Sequence, residues 1–395
     1  MNILITNFHS IKNKGDLGIV LGLIAGLKTK WPAASFGVIG REASETDWWL
    51  AKGIKFYQPV LTYQPTSRLT FLVFLAKFFS TLALIKNNQT PVVAAYRQAD
   101  LVISKGGSFF REPEYRHNWL PVGILGHLHQ LLVAQKLGKK VILSAQSFGP
   151  INNPVTRLMV SREFKKLALI TARDSDSARF LIGRLGLRTA PVVGDSAFLL
   201  PVMAPAIKLS STKYRRVGLT VRSWSNQAEF LRYQQAITGL IGKYADQFEF
   251  VFMPQVIGPR SYEDDRRVAT EIFAQLPPAT QARVTIIKDD LAPAALVELY
   301  GQMDFFIATR LHSAIFALLA GRPLVAIGYE PKTIGVLGDL KLGEWVLDLR
   351  SITLANLEAK FTRLLKVSPT EFTLAAAAAR QSALKNIDLI AAVAN

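Results

Sequence analysis

The chain has 395 residues, enough for two domains, and half of them are hydrophobic, which excludes a disordered protein. It contains no cysteine, so disulfides, thiolate nucleophiles and thiolate metal sites are excluded. Forty-seven basic residues against 29 acidic ones give a formal charge of +18, a field that draws anions or serves solubility. No recognition-helix motif, RNA-binding signature or long Lys/Arg block accompanies that charge, so nucleic acid is not the expected partner.

In chain order, residues 2–6 form a short apolar run that reads as a strand rather than a secretory signal. Leu17, Val20, Leu21, Ile24 and Leu27 follow at helical spacing. Residues 69–85 are almost wholly apolar, with Lys77 in their middle and Arg68 and Lys86 at their flanks. This stretch is short for a spanning helix. A buried, domain-packing helix is the first expectation, and a helix lying on an anionic membrane face the second. Further strands are expected at 101–104, 141–145, 169–172, 192–193, 217–221, 248–253, 284–287, 305–308 and 324–327. Most of these runs are continuously apolar, as parallel strands covered on both faces are. Their alternation with helical patterns predicts doubly wound α/β layers.

A proline-containing polar stretch at 201–215 suggests a boundary, giving an α/β domain at 1–205, a second at 206–350 and a helical segment at 351–395. Two such Rossmann-like halves would have an interdomain cleft. Ser368-Pro369-Thr370-Glu371 reads as a capping box opening the last helix.

The residues with chemical potential cluster after strands. Arg310 and His312 follow the run ending at Ala308 and open a helix whose apolar stripe is Leu311, Ile315, Leu318 and Leu319, ended by Gly321. The carboxyl end of a strand in an open α/β sheet is where ligands bind. Two basic side chains at a helix amino end suit a bound anion. Glu330 and Lys332 follow the next strand, and Arg222 follows 217–221; a guanidinium there can take a carboxylate or phosphate in bidentate fashion. In the first half, Asp16 is placed to cap a helix or to orient a sugar hydroxyl. Gly106, Gly107 and Ser108 offer exposed backbone N–H groups to a ligand, and Gln146, Ser147 and Arg173 end two further strands. His127 and His129 lack the spacing of a helical metal pair, and His9 and His117 have no assignable partners. No metal site is expected.

In this order, the segments NKGDLGI, SKGGSFF, SAQSFGPI, TARDSDSARFL, GDSAFLL and TRLHSAIFALLAGRPLVAIGYEPK, with Gly335 after them, resemble the polysaccharide pyruvyltransferase family from residue 2 to about 345. The resemblance implies a GT-B-like architecture and transfer of pyruvate, as a ketal, from phosphoenolpyruvate to a saccharide, in many members a lipid-linked one. It implies Arg310 and His312 as the active-site pair and Arg222 and Lys332 as further basic residues, with phosphoenolpyruvate as co-substrate and no other cofactor. On this reading the first domain takes the acceptor and the second the donor, in the cytoplasm, at the inner membrane face if 69–85 lies there. His312 would act as general acid and then base. Lys105 stands where family members often carry a third glycine. The alternatives are a glycosyltransferase using a nucleotide sugar, with Glu330 on its ribose, and a non-catalytic saccharide-binding protein.

Overall fold

A computed structural model describes residues 1–62, 68–112, 121–201, 207–258 and 260–394. His117 and residues 202–206 of the expected boundary lie outside the described residues. The first sheet contains β1 (Asn2–Phe8), β2 (Ser35–Gly40), β3 (Lys55–Tyr57), β4 (Leu101–Ser104), β5 (Gly107–Phe110), β6 (Lys140–Phe148) and β7 (Leu169–Ala172). Its order is β3-β2-β1-β4-β6-β5, with β7 on β6. The second contains β8 (Arg215–Thr220), β9 (Phe248–Phe252), β10 (Val284–Ile286), β11 (Phe305–Ala308), β12 (Leu324–Gly328) and β13 (Val346–Asp348), in the order β10-β9-β8-β11-β12-β13. Every pairing is parallel.

The expected class, two doubly wound α/β domains of the GT-B type, is what the chain adopts. The cause lies in the strands. β4, β11 and β12 are buried at every position, so both faces need helices over them. β2, β3, β5 and β13 have no counterpart among the sequence expectations, because runs such as Lys55–Tyr57 and Val346–Asp348 are too short to register as apolar periods. At 192–193 there is only a single parallel bridge, from Val192 to Ala172.

Two compact units result. One comprises residues 1–11, 19–199 and 382–395; the other comprises 12–18 and 200–381. The division falls inside two helices, Lys14–Lys30 and Thr370–Ala394, so neither unit is one unbroken run of chain. Glu371, expected to close a capping box on Ser368, instead accepts the Trp345 indole N–H at 2.8 Å.

The first unit is fastened by two close approaches. A Cβ added to Gly22 would stand 2.0 Å from the Ser196 carbonyl oxygen, so only glycine lets that helix meet 196–199. From the C-terminal helix, buried Asn386 donates to Ser144 Oγ at 2.8 Å and accepts from Thr171 Oγ1 at 2.9 Å. The Thr171 hydroxyl also accepts the Ala145 N–H at 2.7 Å, where Ala145 takes the left-handed conformation, φ 46°.

The apolar stretch forms a helix, Arg68–Ala83, that seats Phe74, Phe78 and Leu82 in the core. Among the described residues no helix is long and apolar enough to cross a membrane.

Asn386→Ala would remove the donor to the buried Ser144 hydroxyl and the acceptor of the Thr171 hydroxyl. The expected loss is about 1–3 kcal/mol, read as a lower urea midpoint at unchanged slope.

Candidate active site

In the second sheet the order runs outward in both directions from β8 and β11, which makes the gap between their carboxyl ends the topological switch point. Thr220 of β8 pairs with Ala308 of β11, and Arg222 and Arg310 each stand two residues beyond that pair. The switch point is fixed by hydroxyls. Thr220 Oγ1 accepts the Thr309 N–H at 2.9 Å and donates to Ser313 Oγ at 2.8 Å. Ser313 Oγ in turn accepts the Arg310 N–H at 3.1 Å and donates back to the Arg310 carbonyl at 2.6 Å. Tyr233 OH meets Thr309 Oγ1 at 2.9 Å. These buried contacts set where the helix Leu311–Leu319 begins, with Arg310 as its N-cap residue and His312 in its first turn. Gly321, in the left-handed region at φ 68°, follows its end, as expected from the sequence.

The Arg310 guanidinium is held by a carboxylate that the sequence reading did not single out. Asp265 accepts from Arg310 Nε at 3.2 and 3.1 Å and from Nη2 at 2.6 Å. Asp265 also takes the backbone N–H groups of Gln255 at 3.0 Å and Val256 at 2.9 Å. The bidentate fork expected to grip an external anion therefore grips Asp265, because a cation at a helix amino end needs a balancing charge at all times. Burial works against the guanidinium's charge, but Asp265 outweighs it and holds the Arg310 pKa above the ordinary arginine value. The Arg310 side chain remains 15% exposed, and Nη1 is not used in the pair.

Arg222 is bound differently. Its Nε donates to the Ser223 carbonyl at 3.0 Å, and its guanidinium lies 3.8 Å from the Tyr329 ring centre and 5.7 Å from that of Trp224. Among the described residues no carboxylate pairs with it. Lys332, in the first turn of the helix Pro331–Asp339, pairs with Glu330 at 2.5 Å. Tyr329 senses the whole group. Burial alone would push its phenol up, yet Arg222, Lys332 and Arg310 together outweigh burial and Glu330 and bring its pKa below the ordinary tyrosine value. Three cations balanced by two carboxylates, at two helix amino ends, leave a surplus of positive charge.

His312 is positioned by a glycine. A Cβ on Gly15 would stand 2.4 Å from His312 Cγ and Nδ1, so only glycine allows the ring its place. Gly15 is itself held by its neighbours. The Lys14 N–H donates to the Gln255 carbonyl at 2.8 Å, and Asn13 bridges Val256. The ammonium groups of Lys12 and Lys14 both reach Asp290, and although burial would raise its pKa these two lysines hold it below the usual carboxylate value. Asp16 is not the cap: the Asn13 side chain accepts the Asp16 N–H at 3.2 Å, and Asp16 sits half-buried in the first turn, where an acid suits the dipole.

The first-unit candidates behave otherwise. Gln146, Ser147 and Arg173 are buried, and Gln146 Oε1 has no hydrogen-bond partner among the described residues. Arg173 Nη1 pairs with Asp195 at 2.7 Å, Nη2 donates to the Gly107 carbonyl at 3.2 Å, and Nε and Nη2 both reach Ser147 Oγ, at 3.1 and 3.0 Å. Ser147 Oγ donates to Asp174 at 2.6 Å, and Gln146 Nε2 to the Ser147 carbonyl at 3.0 Å. All three are buried and bonded into the first sheet's carboxyl end. A Cβ on Gly106 would stand 2.7 Å from the Ala145 carbonyl oxygen, so the packing of the chain there requires glycine. Gly107 and Ser108 are half-exposed in β5. Lys105 is buried, with Nζ 3.0 Å from the Gly106 carbonyl.

Asp265, Tyr329 and Gly15 are what the sequence reading missed. Tyr329 had a signal, standing directly after β12 beside Glu330. Asp265 lies inside the run Asp264-Asp265-Arg266-Arg267 at the start of the helix Asp265–Ala274, so nothing local marks it.

The family described as polysaccharide pyruvyl transferase matches residues 13–331. The chain is 26% identical over 400 residues to the amylovoran biosynthesis protein AmsJ of Erwinia amylovora, covering 92% of each. Among solved structures it is similar to a UDP-GlcNAc 2-epimerase from Neisseria meningitidis, with TM-score 0.58, 13% identity and coverage of 100% of this chain and 99% of that one. It is also similar to a glycosyltransferase from Rickettsia africae, with TM-score 0.54, 11% identity and coverage of 98% and 95%. These two likenesses carry the fold alone.

Gly15→Ala should displace the His312 ring and cost about 100-fold in turnover, since an error near 1 Å at a reacting group is worth that much. Combined with His312→Ala it should add little further loss, which a double-mutant cycle measures. Subtracting the spectrophotometric titration of Tyr329→Phe from that of the wild type should leave one phenolate forming below the ordinary tyrosine range. Cations favour the phenolate, so Arg222→Leu should move that step to higher pH.

Proposed function

The chain belongs to the polysaccharide pyruvyl transferase family, and we propose that it takes the pyruvyl group from phosphoenolpyruvate and closes it as a ketal on two hydroxyls of a saccharide. The observation that carries this reading is the surplus of positive charge around Tyr329, one of whose cations, Arg310, caps the helix that bears His312 in its first turn. Phosphoenolpyruvate is small and bears both a carboxylate and a phosphate. Arg222, which has no carboxylate of its own among the described residues, meets one anionic group. The edge of Arg310 left over from Asp265 and the Lys332 ammonium meet the rest.

His312 then has two duties. As an acid it delivers a proton to the enol carbon, leaving an oxocarbenium-like centre at the phosphate-bearing carbon. A sugar hydroxyl adds there and passes its proton to the imidazole. Phosphate leaves with the C–O bond electrons, and the second hydroxyl closes the ring, its proton leaving with the phosphate. Electrons stay paired throughout, and no oxidant or reductant is required. Similarity to the amylovoran biosynthesis protein supports an acceptor within exopolysaccharide assembly. Glu330 is engaged by Lys332, which weighs against its use on a nucleotide ribose.

The test is phosphate release from phosphoenolpyruvate in the presence of oligosaccharide acceptors. His312→Ala should lower turnover by about 10²–10⁴-fold, and Arg222→Lys should raise the KM for phosphoenolpyruvate about tenfold through loss of the planar fork. Wild-type turnover in His312→Ala would remove the imidazole from the chemistry. Donor binding competed by uridine diphosphate and not by phosphoenolpyruvate would transfer the site to glycosyl transfer.

A further inference from the structure

The helix Arg68–Ala83 is apolar on both sides, but only one side has a core to meet. Phe74 and Phe78 point inward, while Leu69 is 75% exposed, Leu72 62%, Phe79 58% and Leu84, just beyond the helix, 63%. Positions 69, 72, 73 and 76 recur at the spacing of a single helical stripe, and all four are exposed. A contiguous apolar face of this kind on a soluble protein marks a surface with an occupant.

The charge around it selects that occupant. From Trp48 to Ala99 the sequence has no Asp or Glu but carries Lys52, Lys55, Arg68, Lys77, Lys86 and Arg97. Lys77 is exposed within the stripe itself. Past the helix end, Arg97 Nη2 donates to the Lys86 carbonyl at 2.8 Å, which sets the Arg97 guanidinium against the backbone of exposed Lys86. With 16 residues the helix is about 24 Å long, too short to span a bilayer but long enough to lie along one. We propose that this face rests in the headgroup layer of an anionic membrane, with Leu69, Leu72, Phe79 and Leu84 in the acyl boundary and Lys77 and Lys86 at the phosphates. A second copy of the chain is a poorer occupant, because pairing across a twofold axis would set Lys77 and Lys86 against like charge.

This proposal is independent of the pyruvyl chemistry, since neither donor nor acceptor is needed to test it. The full chain is floated with vesicles of phosphatidylcholine containing one-third phosphatidylglycerol, and with phosphatidylcholine alone. Recovery should be at least about fivefold higher with the anionic lipid. Leu72→Glu/Phe79→Glu should lose about as much, and Lys77→Glu/Lys86→Glu should abolish the preference for phosphatidylglycerol while leaving the apolar face intact. Both variants should keep the wild-type far-UV circular dichroism spectrum and urea midpoint, which separates loss of the face from loss of fold. Equal flotation of wild type and Leu72→Glu/Phe79→Glu would overturn the proposal. So would absence of binding to phosphatidylglycerol vesicles, or a wild-type dimer that those two substitutions dissociate in sedimentation.

Discussion

One loop braces both halves of the candidate active site. Residues 255 and 256 donate their N–H groups to Asp265, and Asp265 holds Arg310. The carbonyl of Gln255 accepts the Lys14 N–H, and Gly15, the next residue, supports the His312 ring. Arg310 and His312 are two residues apart on one helix start, and each is fixed from its own side by the same short stretch of backbone. Gln255 Nε2 reaches Tyr300 OH at 2.9 Å, which ties the loop to the interior of the unit. A buried carboxylate with two backbone N–H groups and a guanidinium on it is costly to break, about 3–5 kcal/mol when one partner is removed. Such a circuit supplies rigidity to the start of the helix that carries Arg310 and His312.

The same bracing divides labour among the cations. Arg310 and Lys332 each come with a carboxylate, so they are tolerated at helix amino ends before any ligand arrives. Arg222 has aromatic faces instead, and an aromatic face attracts a cation without neutralising it. The charge that remains to be satisfied therefore belongs chiefly to Arg222. Tyr329 joins the three electrostatically and stacks under the one that lacks an acid.

Much of this could be read from the chain before folding. Continuous apolar runs alternating with helical periods gave the α/β class, and Arg222 and Arg310 were visible as the residues that follow two strands. The register confirms the logic: each lies two residues past the Thr220–Ala308 pair. The same rule singled out Gln146, Ser147 and Arg173, which are buried and internally bonded; a polar side chain at a strand end can face a ligand or satisfy the interior, and its sequence signal is identical in both cases. Asp265 was illegible for a different reason. Its partner is 45 positions away, and nothing local separates an acid that caps a helix from one that neutralises a distant guanidinium.

The seven residues at 12–18 reside with the second unit although they are made first. During synthesis Lys14 leaves the ribosome 276 residues ahead of Asp290, and the Gln255 carbonyl and the His312 ring also follow far behind. The nascent first half must therefore wait with this strip undocked, and the candidate site matures only when nearly the whole polypeptide has emerged. For the same reason a fragment cut at residue 200 would lack its own glycine support for the histidine, and any excised or permuted version must bring that strip along.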